Sequence, residues 1–264
     1  MKNVFLRILL AFSFLMAVNV NAAVINLGDP IAVSQASDRW YVDRYGPNGW
    51  SYNGGSGVLK QTISADDRAG ARPPAFASAF YNTQGRKHDF GPSTTMMSIE
   101  LYIPGDLLQQ RYAGFWGTGV DGSNQITGYP IIEFAADGTG PRFQGWDDAN
   151  GWVDYGLPGT FGYDMWHELK ISLDQSNDQW DYYVNGGLLG SVDAFGATGL
   201  SNVILQGYNY FRSSQGSYDI RWRNLVTDTP DNRVPEPGSF ALVAIAFFGL
   251  AMIHRKKQHV ALTQ

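Results

Sequence analysis

The stretch between Arg142 and Tyr155 combines the two kinds of side chain that sugar recognition requires. From residue 143 it reads Phe-Gln-Gly-Trp-Asp-Asp-Ala-Asn-Gly-Trp-Val-Asp-Tyr. Aromatic faces pack against the apolar C–H side of a pyranose ring, and neighbouring Asp and Asn side chains hold paired hydroxyl groups. The run therefore predicts a carbohydrate-binding surface. The residues expected to form it are Trp146, Asp147, Asn150, Trp152 and Tyr155.

A second wall of this surface is predicted from Trp116, which stands in a Gly-Phe-Trp-Gly run and precedes the loop Asp121–Asn124. A structural explanation of the same residues stays open. In that explanation Trp146 and Trp152 are core aromatics of neighbouring strands, and residues 147–151 form the hairpin turn between them. The sequence alone does not decide between recognition and packing.

Carboxylate spacing does not favour catalysis. A retaining glycosidase needs two carboxyl groups about 5 Å apart. Between residues 23 and 233 the glutamates are Glu100, Glu133 and Glu168, and the residues two positions later are Tyr, Ala and Lys. Glu133 and Asp137 are the nearest pair in sequence, but Asp137-Gly138 is typical of a turn. Non-catalytic binding is the favoured interpretation.

Metal chemistry is limited by the available ligands. The chain has no cysteine, and His88 and His167 are the only histidines between residues 23 and 233, which excludes zinc thiolate sites and histidine clusters. Calcium takes oxygen ligands. Asp174, Ser176 and Asp178 alternate as calcium ligands do, so a structural calcium ion is a candidate cofactor. A hairpin turn explains the same loop.

The segments that must position these residues have an apolar side chain at every second position. In Thr95–Ile103 and again in 166–173, apolar side chains occupy one face and polar side chains the other, as in half-buried strands. Asn185-Gly186 predicts a hairpin. Many short strands separated by Gly, Asp and Asn turns predict an all-β, two-sheet antiparallel sandwich of jelly-roll type. Further strands are predicted at Val58–Ile63, Ala75–Tyr81, Tyr112–Gly117, Pro130–Ala135, Trp180–Val184, Leu188–Val192, Val203–Tyr208 and Tyr218–Val226, with one helical turn at Gly105–Arg111.

Three segments, Trp166–Asp174, Trp180–Gly186 and Tyr218–Val226, together resemble the second half of concanavalin A-like lectin/glucanase domains, including laminin G-like modules. The resemblance implies a jelly-roll sandwich. It does not select a function, because this superfamily includes lectins, hydrolases, lyases and adhesion modules. Its glucanases carry Glu-x-Asp-x-x-Glu and its alginate lyases carry Gln-x-His, and residues 23–233 contain neither motif.

The N-terminal 22 residues are typical of an export signal. Lys2 and Arg7 precede an apolar core, and Val20-Asn21-Ala22 fits a signal peptidase site. Cleavage after Ala22 is predicted, with an uncleaved N-terminal anchor as the alternative.

The C-terminal end carries three ordered features. Pro235-Glu236-Pro237 precedes an apolar run at 240–253, and Arg255-Lys256-Lys257 follows it. A basic cluster after an apolar helix fits the positive-inside bias of membrane spans. This arrangement resembles the PEP-CTERM sorting signal of Gram-negative bacteria, which implies processing by an exosortase. An ordinary C-terminal membrane anchor is the alternative.

Excluding these ends changes the charge balance. They hold five of the 19 basic residues and one of the 24 acidic residues, which leaves 14 and 23, a net charge of −9 instead of −5. Such a surface repels nucleic acid, because duplex binding depends on neutralised phosphates.

The predicted organisation has three parts. Residues 1–22 are a signal peptide, 23–229 a concanavalin A-like sandwich, and 230–264 a linker, sorting motif, transmembrane helix and basic tail. The predicted protein is exported, held in the inner membrane as a precursor, and then found at the cell surface or in the extracellular matrix, where it binds polysaccharide. The alternatives are an adhesion module that binds a protein partner and, third, a polysaccharide-degrading enzyme.

Overall fold

The computed structural model describes residues 23–36, 38–65, 83–107, 111–209 and 216–228. Within these ranges the chain forms sixteen β-strands and no helix. The strands are β1 (Ala23–Val24), β2 (Tyr41–Val42), β3 (Gly49–Asn53), β4 (Val58–Ile63), β5 (Gln84–Thr94), β6 (Met96–Ile103), β7 (Arg111–Val120), β8 (Ile126–Gly128), β9 (Ile131–Asp137), β10 (Gly140–Asp147), β11 (Gly151–Gly156), β12 (Met165–Asp174), β13 (Gln179–Val184), β14 (Gly187–Asp193), β15 (Gly199–Asn209) and β16 (Tyr218–Thr227).

The strands form two sheets. The first has the order β14-β13-β12-β6-β16-β4-β3, with β1 beside β16, and the second has the order β11-β10-β9-β7-β15-β5-β2, with β8 beside β7. All pairings between these strands are antiparallel. The predicted all-β, two-sheet antiparallel architecture is confirmed.

The inner faces of the two sheets meet in an apolar core, because alternate residues of each strand point the same way. In β6 and β12, Ile99 lies opposite Leu169 and Met97 lies opposite Ile171, and all four side chains are fully buried. The hairpin between β13 and β14 turns at Asn185-Gly186, where both residues have positive φ angles of 51° and 77°. This is the conformation that an Asn-Gly hairpin favours.

Some predicted elements differ from the structure. A helical turn was predicted at Gly105–Arg111, but Arg111 begins strand β7, so the prediction is wrong at its last residue. At the other end, Gly105-Asp106 forms a turn that is closed by a hydrogen bond from Leu107 N to Pro104 O. Strand β5 escaped prediction because its buried side chains include the polar Gln84 and His88.

The predicted strand Ala75–Tyr81, the signal peptide and the C-terminal sorting helix all lie outside the described residues. Across the ranges that are described, no helix is long and apolar enough to cross a membrane.

Candidate functional site

The two faces of the second sheet have different chemistry. Its inner face carries core side chains such as Phe115 of β7, Phe134 of β9 and Leu205 of β15. Its outer face is polar at the centre, and yet these polar side chains are buried. They are Thr118, Glu133, Gln144, Asn202 and Gln206. Because they are only 1–3% exposed, these side chains support the face from within and are not open to a ligand.

Two tryptophans lie at the edge of this outer face. Trp146 of β10 is directly opposite Trp152 of β11, and the ring centroids are 5.3 Å apart with an angle of 72° between the planes. The Trp152 side chain is 39% exposed. Trp146 is partly buried, and its Nε1 donates to Asp148 Oδ1 at 3.0 Å. The pair therefore presents one ring to solvent on a fixed support.

Trp146 is held from below by a small apolar cluster on the outer face. Its members are Trp116, Ile131 and Ile204, with Tyr129 packed beside them. The backbone carbonyl of Trp146 also accepts a hydrogen bond of 2.8 Å from Tyr182 Oη, a residue of the first sheet. These contacts fix the indole position, which reduces the entropy lost when a ligand binds.

Asp147 and Asn150 form the turn between the two tryptophan-bearing strands. Asp147 Oδ1 accepts hydrogen bonds from Ala149 N (2.8 Å) and Asn150 N (3.3 Å), and Oδ2 accepts one from Asn150 Nδ2 (2.7 Å). The Asn150 side chain and these amides lower the pKa of the Asp147 carboxyl. The turn explanation therefore accounts for the geometry of Asp147 and Asn150. Their side chains are hydrogen-bonded within the turn, which does not support the predicted contact of these two residues with sugar hydroxyl groups.

Tyr155 lies on the opposite face from Trp152. Its ring packs against the core, 6.2 Å from the ring of Tyr182, and lies so close to Gly190 that a Cβ atom there would approach Tyr155 Cε1 to 2.4 Å. Tyr155 is three positions after Trp152, and an odd offset reverses the face in a strand. Tyr155 is therefore not part of the surface to which it was assigned from the sequence.

Trp116 is on the outer face but does not form an exposed wall. Its side chain is only 2% exposed, and the guanidinium carbon of Arg44 lies 5.2 Å from the centre of its ring. Arg44 also forms an ion pair of 2.6 Å with Asp43 and donates to Gln206 Oε1 at 3.4 Å. Trp116 thus supports the surface from inside.

Glu133 stands at the centre of the outer face and is 1% exposed. Burial raises the pKa of Glu133 to about 8, an effect only partly offset by the hydrogen bond of 2.5 Å that Gln144 Nε2 donates to its Oε1. A carboxyl group with this pKa holds its proton at neutral pH and can donate it. The sequence signal for this site is an acidic residue inside the apolar strand Ile131–Asp137.

Asp137 shares the strand and the face of Glu133, but its environment is opposite. Arg142 donates two hydrogen bonds to its carboxylate, at 2.7 and 2.8 Å, and lowers its pKa. Asp154 accepts a third bond from Arg142 at 2.7 Å. Two carboxyl groups whose pKa values are pushed apart are a pattern found in acid–base sites. Here the ionised member is fully engaged by the arginine.

The loop considered for calcium is held by its own hydrogen bonds. Asp174 Oδ1 accepts from Ser176 N at 2.9 Å and from Ser176 Oγ at 2.6 Å, and Asp178 accepts from Gly196 N at 2.9 Å. Within the described ranges, no group of three or more His, Asp or Glu side chains is arranged to hold a metal ion. Calcium binding stays a prediction.

Comparison with known proteins places the fold. No protein-family model matches the chain, and no curated protein matches it. Among solved structures, the catalytic domain of an endo-1,3-β-glucanase (laminarinase) from Thermotoga petrophila is 10% identical, with a TM-score of 0.50 over 76% of this chain and 94% of that chain. The chain shares the β-sandwich fold of this glucanase domain. At this identity the likeness extends to the fold alone.

Two further solved structures are similar. The β-glucanase of Bacillus licheniformis is 13% identical, with a TM-score of 0.48 over 79% of this chain and 97% of that chain. A sialidase is 13% identical, with a TM-score of 0.47 over 80% of this chain but only 19% of its own length.

Proposed function

We propose that this chain is an exported protein that binds polysaccharide, without cleaving it, through the outer face of its second sheet. The observation that carries the proposal is the Trp146–Trp152 pair. One ring is exposed, and the other is fixed by a buried cluster and donates a hydrogen bond to Asp148. A sugar ring can stack on the exposed indole of Trp152.

The state of the carboxylates supports binding without hydrolysis. A retaining mechanism needs an ionised nucleophile beside the acid. The ionised partner of Glu133 on this strand is Asp137, and its two oxygens accept hydrogen bonds from Arg142, while Tyr112 Oη donates to one of them at 3.0 Å. A carboxylate held in this way is a weak nucleophile.

Hydrolysis is the second candidate function, and one observation favours it. Glu133 keeps its proton at neutral pH, as a general acid must. The two candidates differ in products. If wild-type protein released reducing ends from a bound polysaccharide and Glu133→Gln did not, the chain would be an enzyme and the non-catalytic proposal would be wrong.

The proposal is tested with a glycan array, on which the full-length chain in mild detergent is applied with and without calcium. We expect retention of a defined group of polysaccharides, and no reducing ends after prolonged incubation with them. Dependence on added calcium would support the structural ion. If no glycan were retained in either condition, the proposal would be contradicted and the alternative of a protein partner would be favoured.

The route to the cell surface is part of the proposal. The order of Pro235-Glu236-Pro237, an apolar run and Arg255-Lys256-Lys257 supports sorting by an exosortase after export through the N-terminal signal. In a host that has an exosortase, deletion of Arg255–Lys257 or Glu236→Ala should leave a larger precursor in the membrane. Deletion of 258–264, which keeps the basic cluster, is the control.

Mass spectrometry of the extracellular protein measures this directly. Wild-type protein should begin near Ala23 and end near the motif Pro235-Glu236-Pro237. An extracellular wild-type chain with an intact C-terminus would show that the sorting assignment is wrong.

A further inference from the structure

The outer face of the first sheet carries a row of aromatic and cationic side chains. Trp166 of β12 pairs with Tyr102 of β6, Tyr102 pairs with Arg221 of β16, and Arg221 pairs with Lys60 of β4. Because paired residues on adjacent strands share a face, the four side chains follow one line across the sheet. This line lies on the opposite side of the sandwich from the tryptophan pair, since the two sheets meet through their inner faces.

Two arginines of strand β16 on this face differ in their partners. Arg223 is neutralised, because its Nε and Nη2 atoms contact Glu100 Oε2 at 2.7 and 2.6 Å, and its guanidinium lies 4.2 Å from the centre of the Trp166 ring. Arg221 is exposed and stacks on Tyr102 at 5.4 Å. It makes no ion pair with any residue in the described part of the chain, so its planar edge is available to a ligand.

Arg221 borders a cleft of about 380 Å³, a volume within the range of small-molecule sites. The charged groups that line the cleft are Arg111, Arg221, Asp106 and Asp219, and the rings of Tyr102 and Tyr218 line it as well. The cleft therefore mixes guanidinium groups with carboxylates and aromatic rings. A second, more open cleft borders Arg221 on its other side, next to Lys60.

The charged groups of the cleft have different surroundings. Asp219 accepts a hydrogen bond of 2.6 Å from Thr62 Oγ1 and lies 3.5 Å from Lys60 Nζ. Arg111 stacks on Tyr218 at 5.1 Å and donates to the carbonyl oxygen of Asp106 at 3.3 Å. The cleft thus offers cationic donors for one negative group and carboxylate acceptors for several hydroxyl groups.

We infer that this cleft binds a uronic acid residue of an acidic polysaccharide, with its carboxylate on Arg221 and its ring hydroxyl groups on Asp106 and Asp219. Arginine binds a carboxylate through two parallel hydrogen bonds, which makes this contact strong and directional. A peptide of Asp and Glu residues is a poorer fit, because it has no ring hydroxyl groups to donate to the two aspartates. The net charge of −9 on residues 23–233 means that attraction must come from these local contacts.

This site is independent of the tryptophan surface and goes beyond it. If both bind polysaccharide, one molecule holds two chains on opposite sides of its sandwich. Such a bivalent protein cross-links a matrix, and its retention exceeds that of either site alone.

The test uses the full-length chain in mild detergent and titrates it with a tetramer of galacturonic acid, with the fully methyl-esterified tetramer as the neutral probe. Arg221→Gln should weaken tetramer binding by about tenfold or more, since a charge-assisted hydrogen-bond pair is lost. Arg221→Lys, which keeps the charge but loses the planar fork, should recover only part of the affinity. Arg39→Gln removes an exposed arginine outside the cleft and is the matched control.

Several outcomes would overturn the inference. Equal binding of the acid and its methyl ester, or unchanged binding by Arg221→Gln, would show that no carboxylate site exists here. Equal binding of a glutamate oligomer would assign the site to peptides. Loss of tetramer binding in Trp152→Ala would place the acidic sugar on the other face. The proposed function can fail while this inference holds. In that case the chain would bind the galacturonic acid tetramer but no neutral polysaccharide.

Discussion

Trp116 and Trp152 stand on the same face of the same sheet, and yet one is buried and the other is available to a ligand. Trp116 lies in a central strand beneath Arg44 and is 2% exposed, whereas Trp152 lies in the edge strand β11 and is 39% exposed. The two residues were predicted to form opposite walls of one site. Whether a tryptophan of this face packs in the protein or can contact a ligand therefore depends on whether its strand is central or at the edge of the sheet.

The largest difference between the two positions should appear in stability. Trp116→Ala removes a buried indole and should lower the free energy of unfolding by about 3 to 5 kcal/mol. Trp152→Ala should lower it by less than about 1.5 kcal/mol, because part of the ring is already in water. Urea unfolding of both variants measures this. Similar losses for the two would contradict the distinction between centre and edge.

A second prediction concerns the buried centre alone. The pKa of Glu133 is raised from 4.5 to about 8, so the folded state binds a proton that the unfolded state releases. Stability from this group is fully present below pH 4.5 and is lost as the pH rises to about 8, by an amount on the order of a few kcal/mol.

Glu133→Gln has no titratable proton and should remove this loss, so that the variant gains stability relative to wild type as the pH rises from 5 to 8. Asp137 does not confuse the measurement, because its pKa is lowered in the fold and has the ordinary value of about 3.9 in the unfolded chain, so it is ionised in both states over this range. Parallel pH profiles for wild type and variant would show that Glu133 is ionised and solvated in the fold.

The smallest effect is expected at the turn of the edge hairpin. Asn150→Ala removes the hydrogen bond from Asn150 Nδ2 to Asp147 Oδ2 and should cost about 0.5 to 1.5 kcal/mol of stability. Polysaccharide affinity should change by less than about twofold, because the hairpin still holds both tryptophans. A large loss of affinity without a loss of stability would return Asn150 to the binding surface.

The sequence predicted the parts of the fold that depend on local pattern. Alternation located β6 and β12, and Asn185-Gly186 located a hairpin, because strand period and turn conformation are properties of a few adjacent residues. The alternation of side chains along a strand could also have excluded Tyr155 from the binding surface, because an odd offset from Trp152 places it on the opposite face of the sheet.

Burial of the candidate site was not predictable in this way. The exposure of Trp116 depends on Arg44, which is 72 positions earlier in the chain, and the pKa of Glu133 depends on what surrounds the centre of the sheet. Such contacts are set by tertiary packing and leave no periodic signal in the sequence.

The central claim is tested most directly by calorimetric titration of the full-length chain with the polysaccharide that the array retains best, using wild type, Trp152→Ala and Phe195→Ala. Phe195 is an aromatic residue of similar exposure, at 46%, located in the loop between β14 and β15. Trp152→Ala should bind at least tenfold more weakly while remaining folded, because truncating a tryptophan at an interface centre costs about 2 kcal/mol or more. Phe195→Ala should bind as wild type does. Equal affinity for all three proteins would contradict a binding surface at the edge of the second sheet.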